Sequence, residues 1–253
     1  MSQSPSRREQ LRQAQIAKAK AQRFNRIVGI GALVLAVILV AVFGVVLFQQ
    51  MQSNQVASSV VPPNATAARD GIVVNPGKAK DGAPVVALYM DYQCPVCKQF
   101  ETIYGAALIA LADSGDINLQ YRTMTFLDNN LGNDASVRAG IGAACADVQG
   151  KYASYHNEVF SNQPATEGDG YTSALLRDEI PATVGLTGGS LSGFQQCFDS
   201  KATQTFVKGT NDAAFKTGVN GTPTLKVNEK VIPLETISAT SAADLGALIK
   251  SNA

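Results

Sequence analysis

Two cysteines stand where a strand gives way to a helix, and this placement constrains the chain more than any other feature. The run from Pro84 to Met90 is apolar, as is typical of a central strand buried on both faces. Cys94 and Cys97 follow within a few residues of this run. Apolar residues then recur at spacings of three and four, which predicts a helix over 95–113. The sequence therefore predicts a strand, a Cys-Pro-Val-Cys segment and a helix in direct succession.

The position of Cys94 indicates redox chemistry. Pro95 suits the first position of a helix, where its missing N–H would have no partner in any case. Cys94 then lies at the helix N-terminus, where free N–H groups and the helix dipole stabilise a thiolate. Such a cysteine is a nucleophile at neutral pH, and Cys97, on the same helical face, can close a disulfide with it.

Two other interpretations of the pair are less favoured. Half of a zinc site is one, but zinc usually has four ligands and no second close pair of Cys or His residues occurs in the chain. A purely structural bond is the other, and the entry of a helix is an unusual place for it. We therefore expect no metal and no cofactor beyond the redox-active disulfide itself.

The N-terminal part of the chain predicts a membrane anchor. Residues 1–26 carry seven Lys or Arg and one Glu, and residues 27–48 are 22 residues without a charge. Such a run spans a hydrocarbon core of about 30 Å and is longer than the apolar part of a cleaved signal peptide. We expect a single-pass signal anchor in the lipid bilayer of the cell membrane, with the basic arm cytoplasmic and the rest of the chain extracytoplasmic.

The remainder of the chain fits an external location. Its net charge is −5, because the arm carries +6 of a total of +1, so no basic surface for nucleic acid is expected. All four cysteines follow the apolar segment, on the side where disulfides persist. Residues 49–68 are polar and predict a flexible linker, which leaves 69–253 as the folded domain.

The order of predicted elements indicates an α/β domain with an insertion. A short strand at 71–74, the strands at 84–90 and 117–124 and the helix between the last two form a β–α–β unit with a parallel pair. Helical patterns then fill 134–148, 151–161, 172–184, 190–199 and 201–217. Strand patterns return at 223–227 and 231–232, before a last helix at 242–249. The helical insertion is placed at about 133–200.

These motifs and their order along the chain resemble those of a known family. The strand–Cys-Pro-Val-Cys–helix unit, the inserted helices and the later Gly221-Thr222-Pro223-Thr224 segment are similar to the thioredoxin fold of DsbA-like thiol oxidases. The predicted anchor and the additional cysteines Cys145 and Cys197 resemble the membrane-tethered actinobacterial members. The resemblance implies a thioredoxin fold with an inserted α-helical subdomain, preceded by one transmembrane helix.

The resemblance also implies roles for the site residues. Cys94 would attack or be attacked, and Cys97 would resolve the mixed disulfide. Thr222 and Pro223 would form the cis-proline loop that faces the pair and binds the substrate backbone, although a trans proline at the start of a strand also fits the sequence. Pro95 and Val96 tune the pair. Because Val96 offers the thiolate neither charge nor hydrogen bond, we expect a weaker oxidase than the Cys-Pro-His-Cys members.

Four further positions, two acids and two cysteines, complete the predicted site. Thioredoxin-like proteins often keep a buried acid six residues before the nucleophile, but that position is Leu88 here. Asp91 and Glu101 are the candidates for a proton relay. The interpretation that we favour for both, however, is a solvated surface charge. Cys145 and Cys197, left over from the active site, are expected to form a structural disulfide. The alternative is that Cys145 and Cys197 act as a second redox pair that relays electrons.

The sequence thus predicts a membrane-anchored, extracytoplasmic oxidase that introduces disulfides into exported proteins. Its expected partners are unfolded or reduced exported proteins and a membrane reoxidase, vitamin K epoxide reductase-like or DsbB-like, which the resemblance implies. A reductase or isomerase, for example in cytochrome maturation, is an alternative within redox chemistry. A non-enzymatic metal-binding thiol protein is an alternative of a different class.

Overall fold

The computed structural model describes residues 38–45, 60–237 and 241–253. Residues 38–45 are helical and belong to a unit separate from the domain that follows. No helix within the described residues is long and apolar enough to cross a membrane. The predicted basic arm, most of the predicted span 27–48 and the first part of the predicted linker lie outside the described residues.

A five-stranded mixed sheet forms the centre of the domain. Its strands are β1 (Ile72–Val73), β2 (Val85–Met90), β3 (Asn118–Thr123), β4 (Thr224–Val227) and β5 (Lys230–Ile232). The spatial order is β1-β3-β2-β4-β5. Strands β2 and β3 are parallel, as the β–α–β pattern predicts, and the other three pairings are antiparallel. Strand β2 is central and almost wholly buried, which explains its continuous apolar sequence.

Helices cover the sheet and fill the long connection between β3 and β4. They are α1 (Pro95–Phe100), α2 (Ala106–Asp113), α3 (Phe126–Leu131), α4 (Ala135–Val148), α5 (Tyr152–Ser161), α6 (Ile180–Thr183), α7 (Gly188–Asp199), α8 (Gln204–Lys216) and α9 (Ala242–Ser251). The helical region between the strands therefore runs from residue 126 to 216, wider than the predicted 133–200, because α3 was not expected and α8 continues the same stretch. The described domain is a thioredoxin-type α/β fold with inserted helices.

Two predicted helices contain a π-helical turn. The helix expected over 95–113 is α1, a π turn at Glu101–Gly105 and α2 in succession. Gly105 matters here, because a Cβ at this position would collide with the Glu101 carboxylate. The helix expected over 172–184 likewise contains a π turn, at Leu175–Glu179, and ends in α6. Such turns are rare and often occur at functional sites.

The last part of the predicted linker belongs to the folded domain. The Val60 N–H donates to the Ala202 carbonyl at 3.0 Å. Asn64 donates its main-chain N–H and its side-chain amide to the two Asp147 carboxylate oxygens, at 3.0 and 2.8 Å. The Asn64 carbonyl accepts from Val73 at 2.8 Å. The flexible-linker prediction is therefore wrong from residue 60 onward, because a long-range bond to a buried carboxylate leaves no trace in local composition.

The leftover cysteines form a bond between two inserted helices. Cys145 of α4 and Cys197 of α7 are joined by a disulfide with 5.9 Å between their Cα atoms. Cys145 is fully buried, and its Sγ lies 3.7 Å from the Thr203 hydroxyl oxygen. The disulfide therefore ties α4 to α7 within the inserted helices, which is a structural position, and the Thr203 hydroxyl beside it belongs to the segment that leads into α8.

Candidate active site

Strand β2 and helix α1 place the two active-site cysteines. Cys94 is the N-cap of α1, with extended backbone angles, and Pro95 occupies the first helical position. The turn out of the strand is closed by a hydrogen bond from the Cys94 N–H to the Asp91 carbonyl at 3.0 Å. Cys94 therefore lies at the helix entry that the sequence predicts, with the first-turn N–H groups of α1 beside its sulfur.

The two cysteines differ in exposure. Both thiols are free, so the structure shows the dithiol form. Cys94 is 7% exposed and Cys97 1%, while the intervening Val96 is 54% exposed. Cys94 is thus the outer member of the pair and Cys97 the inner one, in the order that the attacking and resolving roles require.

The surroundings of the pair separate the acidities of the two thiols. The pKa of Cys94 is lowered from 9.0 to about 6, chiefly by a hydrogen bond from the Cys97 thiol. Backbone N–H groups of Cys97 and Val96 and the Thr222 side chain lower it further, against the opposing effect of burial. Burial raises the pKa of Cys97 well above 9.0, and the neighbouring Cys94 raises it further. At neutral pH the reduced pair is therefore a Cys94 thiolate next to a Cys97 thiol.

The loop before β4 faces the nucleophile. The Thr222–Pro223 peptide bond is cis. The Thr222 carbonyl oxygen lies 3.5 Å from the Cys94 sulfur. Residues that are far apart in sequence, at the entry of α1 and at the start of β4, are thus brought together around one sulfur atom.

Asp91 is a buried acid, not a surface charge. It has no exposed surface, and its carboxylate accepts hydrogen bonds from the Ser136 hydroxyl at 2.5 Å and from the backbone N–H groups of Gln93 and Leu127 at 3.0 and 3.3 Å. Burial raises the pKa of this carboxyl from 3.8 to about 7. The surface interpretation is wrong because the inserted helices α3 and α4 cover the end of β2. The backbone N–H of Asp91 also donates to Cys97 and lowers its pKa.

Glu101 is also buried, with a side chain only 6% exposed. Its Oε1 lies 3.4 Å from Nε2 of His156, and its Oε2 accepts from the Tyr121 hydroxyl at 3.2 Å. His156 is itself fully buried, and its Nδ1 lies 3.0 Å from the Tyr92 hydroxyl. The surface interpretation of Glu101 is wrong because this residue begins the π turn and its side chain packs against His156 of α5.

Two polar contacts to the active-site turn come from residues for which the sequence predicts no such role. Gln163, which follows α5, and Tyr171 both donate to the Tyr92 carbonyl oxygen, at 2.7 and 2.6 Å. Both side chains are buried although each lies in a connecting segment. No local spacing marks such residues, since their hydrogen bonds join positions that are 71 and 79 residues apart in sequence.

The site holds a pair of free cysteines that can form a redox couple. Within 38–45, 60–237 and 241–253, no three His, Cys, Asp or Glu side chains converge as ligands of one ion. The chemistry that the geometry offers is exchange at the Cys94 sulfur, with Cys97 as the internal second thiol.

Comparison with known proteins agrees with this chemistry. A family model described as thioredoxin matches residues 77–251. Disulfide bond formation protein D of Bacillus subtilis is 28% identical over 171 residues, which cover 67% of this chain and 74% of that protein. A probable disulfide bond formation protein D of Bacillus anthracis is 25% identical over 152 residues, covering 59% of this chain and 67% of the relative.

Solved structures share the fold. The reduced DsbA of Mycobacterium tuberculosis has a TM-score of 0.58 and 25% identity, covering 72% of this chain and 92% of that one. The thiol-disulfide oxidoreductase MdbA of Actinomyces oris has a TM-score of 0.63 at 20% identity, covering 77% and 94%. The family match covers well over half of the chain and includes both active-site cysteines. The chain therefore belongs to the thioredoxin family and is a DsbA-like thiol–disulfide oxidoreductase.

Proposed function

We propose that this protein is an oxidase that introduces disulfides into exported proteins through Cys94 and Cys97. The observation that carries the proposal is the acidity of Cys94, whose pKa is lowered to about 6. A stabilised thiolate favours the reduced pair, which makes the corresponding disulfide a stronger oxidant. The value lies between about 7 for thioredoxin and about 3.5 for DsbA, which supports an oxidase of intermediate strength.

The proposed cycle begins with the oxidised pair. A substrate thiolate attacks the Cys94 sulfur, the Cys94–Cys97 bond breaks, and Cys97 leaves and takes up a proton, as its raised pKa favours. A second substrate thiolate then attacks the substrate sulfur of the mixed disulfide and expels Cys94 as a thiolate. The substrate loses two electrons and the cysteine pair gains them. Reoxidation requires a membrane oxidase, vitamin K epoxide reductase-like or DsbB-like.

The surface beside Cys94 supports an unfolded polypeptide as the substrate. A shallow, mainly apolar groove runs along the outer face of α1, lined by Pro95, Val96, Lys98, Gln99, Thr102 and Ile103. Val96 and Ile103 are 54% and 59% exposed. Reduced, unfolded chains present apolar side chains near their cysteines, so such a groove favours them over folded proteins. Thr222 and Pro223 would hold the substrate backbone on the other side of the sulfur.

Asp91 is the proposed proton acceptor and donor for Cys97. It is buried, its pKa is raised to about 7, and its backbone N–H donates to Cys97. A carboxyl that titrates near neutral pH can hold a proton in one step and release it in the next. Glu101, one helical turn beyond Cys97, is the second candidate and shares its buried surroundings with His156.

The location is part of the proposal. Residues 27–48 would anchor the chain in the cell membrane, with residues 1–26 cytoplasmic and the catalytic domain extracytoplasmic. The Cys145–Cys197 bond supports an oxidising compartment for the domain. Protease treatment of intact and of permeabilised cells tests this topology. Digestion of the domain only after permeabilisation of the cell membrane would refute it.

The oxidase function is tested with the oxidised full chain and reduced, unfolded ribonuclease. We expect stoichiometric oxidation of the substrate, loss of that activity in Cys94→Ser, and a reduction potential between about −270 mV, as in thioredoxin, and about −120 mV, as in DsbA. A potential at or below the thioredoxin value would instead support the reductase alternative. Retention of a metal by the dialysed protein, without any oxidation of the substrate, would support the metal-binding alternative.

A further inference from the structure

Gln163, in the connecting segment that follows α5, donates hydrogen bonds to the backbone around Cys94. It is only 7% exposed. Its Nε2 group donates to the Tyr92 carbonyl at 2.7 Å and to the Cys94 carbonyl at 3.0 Å. Only an NH₂ group can face two carbonyl oxygens, so the orientation of the amide is determined. One side chain thus bridges both ends of the turn that carries Cys94.

The bridge is supported from both sides. The Lys98 ammonium group of α1 donates to the Gln163 main-chain carbonyl at 2.9 Å. The Tyr171 hydroxyl donates to the same Tyr92 carbonyl at 2.6 Å. The Cys94 carbonyl also accepts the Lys98 backbone N–H at 3.2 Å, as in a helix. Without the Gln163 amide, the Tyr92 carbonyl would keep the Tyr171 hydroxyl as a donor and the Cys94 carbonyl would keep the Lys98 N–H. Removal of the amide should therefore change the geometry of the turn and leave the protein able to fold.

The geometry of this turn matters because the donors to the Cys94 sulfur lie on it. The Cys97 thiol and the backbone N–H groups of Val96 and Cys97 all belong to the first turn of α1. They can serve the sulfur only if the chain enters the helix at a fixed angle. The Cys94 carbonyl lies where the chain enters the helix. The Gln163 amide links it to the Tyr92 carbonyl, which lies on the strand side of the turn.

We propose that Gln163 is a positioning residue for the disulfide-exchange reaction, because its side-chain amide fixes the turn from Tyr92 to Cys94 so that the Cys94 sulfur faces its hydrogen-bond donors. The inference rests on Cys94 as the nucleophile of the proposed function. Gln163 contacts neither substrate nor sulfur in this role. The helical insertion thereby contributes to the reactivity of a cysteine that belongs to the thioredoxin part of the fold.

The test compares Gln163→Met, which keeps the length of the side chain but lacks the donor, with the unchanged full-length protein. The ultraviolet absorbance of the thiolate and the rate of alkylation by iodoacetamide are followed against pH in the reduced protein. We expect the pKa of Cys94 to rise by about half a unit to one unit, so that alkylation at about pH 5 slows roughly three- to tenfold. The equilibrium with glutathione should shift toward the protein disulfide by a similar factor, up to about 30 mV.

Two further variants make the test specific. Tyr171→Phe removes one of two donors from the Tyr92 carbonyl and none from Cys94, so a smaller change is expected. Gln195→Met is the matched control, because Gln195 is a half-buried glutamine of the inserted helices whose amide donates to Asp178 at 2.8 Å. It should leave both the titration and the glutathione equilibrium unchanged. If Gln163→Met does not fold, Gln163→Asn, whose shorter side chain cannot span both carbonyls, should show the same direction of change.

The outcomes separate this inference from the function on which it rests. If the unchanged protein titrates with a pKa near 6 and the Gln163 variants do so too, with only their thermal stability reduced, the positioning role is refuted and the oxidase proposal stands. If the unchanged protein itself shows no thiolate below about pH 8, the nucleophile assignment fails.

Discussion

The hydrogen bond from the Cys97 thiol is the largest cause of the lowered pKa of Cys94. Cys97→Ala removes this donor and leaves the backbone N–H donors and Thr222 in place. Cys97→Ser is the matched control, because its hydroxyl group keeps a donor at nearly the same place. In both variants Cys94 is the only free thiol of the chain, since the other two of its four cysteines are bonded to each other. The titration signal therefore has a single source.

The expected size of the change follows from the strength of a hydrogen bond to a charged group. Such a bond contributes about 1.5–3 kcal/mol, and one pKa unit corresponds to about 1.4 kcal/mol. Cys97→Ala should therefore raise the pKa of Cys94 from about 6 by roughly one to two units. At pH 7 the thiolate fraction would fall from about nine tenths to about one half or less.

The measurement is the thiolate absorbance against pH, together with the rate of alkylation by iodoacetamide at neutral pH. Cys97→Ser should keep a pKa closer to that of the unchanged protein, and Cys97→Ala should alkylate at least about twofold more slowly at pH 7. A pKa that stays near 6 in Cys97→Ala would contradict the reasoning. It would mean that the helix entry alone, without the second thiol, accounts for the acidity of Cys94.

Three further perturbations test other parts of the structure. Replacing both Cys145 and Cys197 with Ala should lower the free energy of unfolding by about 4 kcal/mol in chemical denaturation and leave dithiol oxidation intact at low temperature; loss of oxidation in a folded variant would indicate a redox relay. Because the pKa of Asp91 is raised in the fold to about 7, its contribution to stability is present below about pH 4 and is lost as the pH rises through 7. Asp91→Asn should flatten that decline in thermal unfolding, and an unchanged slope would argue against a buried, titrating carboxyl. Gly142→Ala should destabilise the domain by about 1–3 kcal/mol, because its Cβ would meet a buried tyrosine hydroxyl, whereas Gly209→Ala has open space and should stabilise α8.

The elements of the domain were predictable from sequence where local pattern determines them. The five strands and most of the helices follow from apolar spacing, and each observed boundary lies within a few residues of the predicted one. The helix entry at Cys94 follows from Pro95 and the preceding apolar strand. The short helix α3 was missed because it has only six residues, too few for a helical spacing of apolar residues to be recognised.

The electrostatic environment of the site was not predictable in the same way. Asp91 and Glu101 look like surface charges because nothing in their neighbourhood in sequence shows what covers them. The partners of Asp91 include Ser136, which lies 45 positions away. Those of Glu101 include His156, on another inserted helix. Whether a carboxyl is solvated or buried depends on such long-range packing, and therefore so does its pKa.

The sheet with α1 and the helical insertion contribute different parts of the site. This difference explains why the elements were predictable from sequence and the electrostatic environment was not. The sheet and α1 supply the sulfur atoms, the helix entry and the Thr222–Pro223 loop, all of which have compact signatures in the sequence. The insertion supplies the residues that surround them: Ser136 of α4 for Asp91, and Gln163 and Tyr171 of its connecting segments for the turn. These contacts close around β2 and α1 from one side. A chain that kept the sheet and exchanged the insertion would therefore keep the cysteine pair but alter the acidities on which its direction of exchange depends.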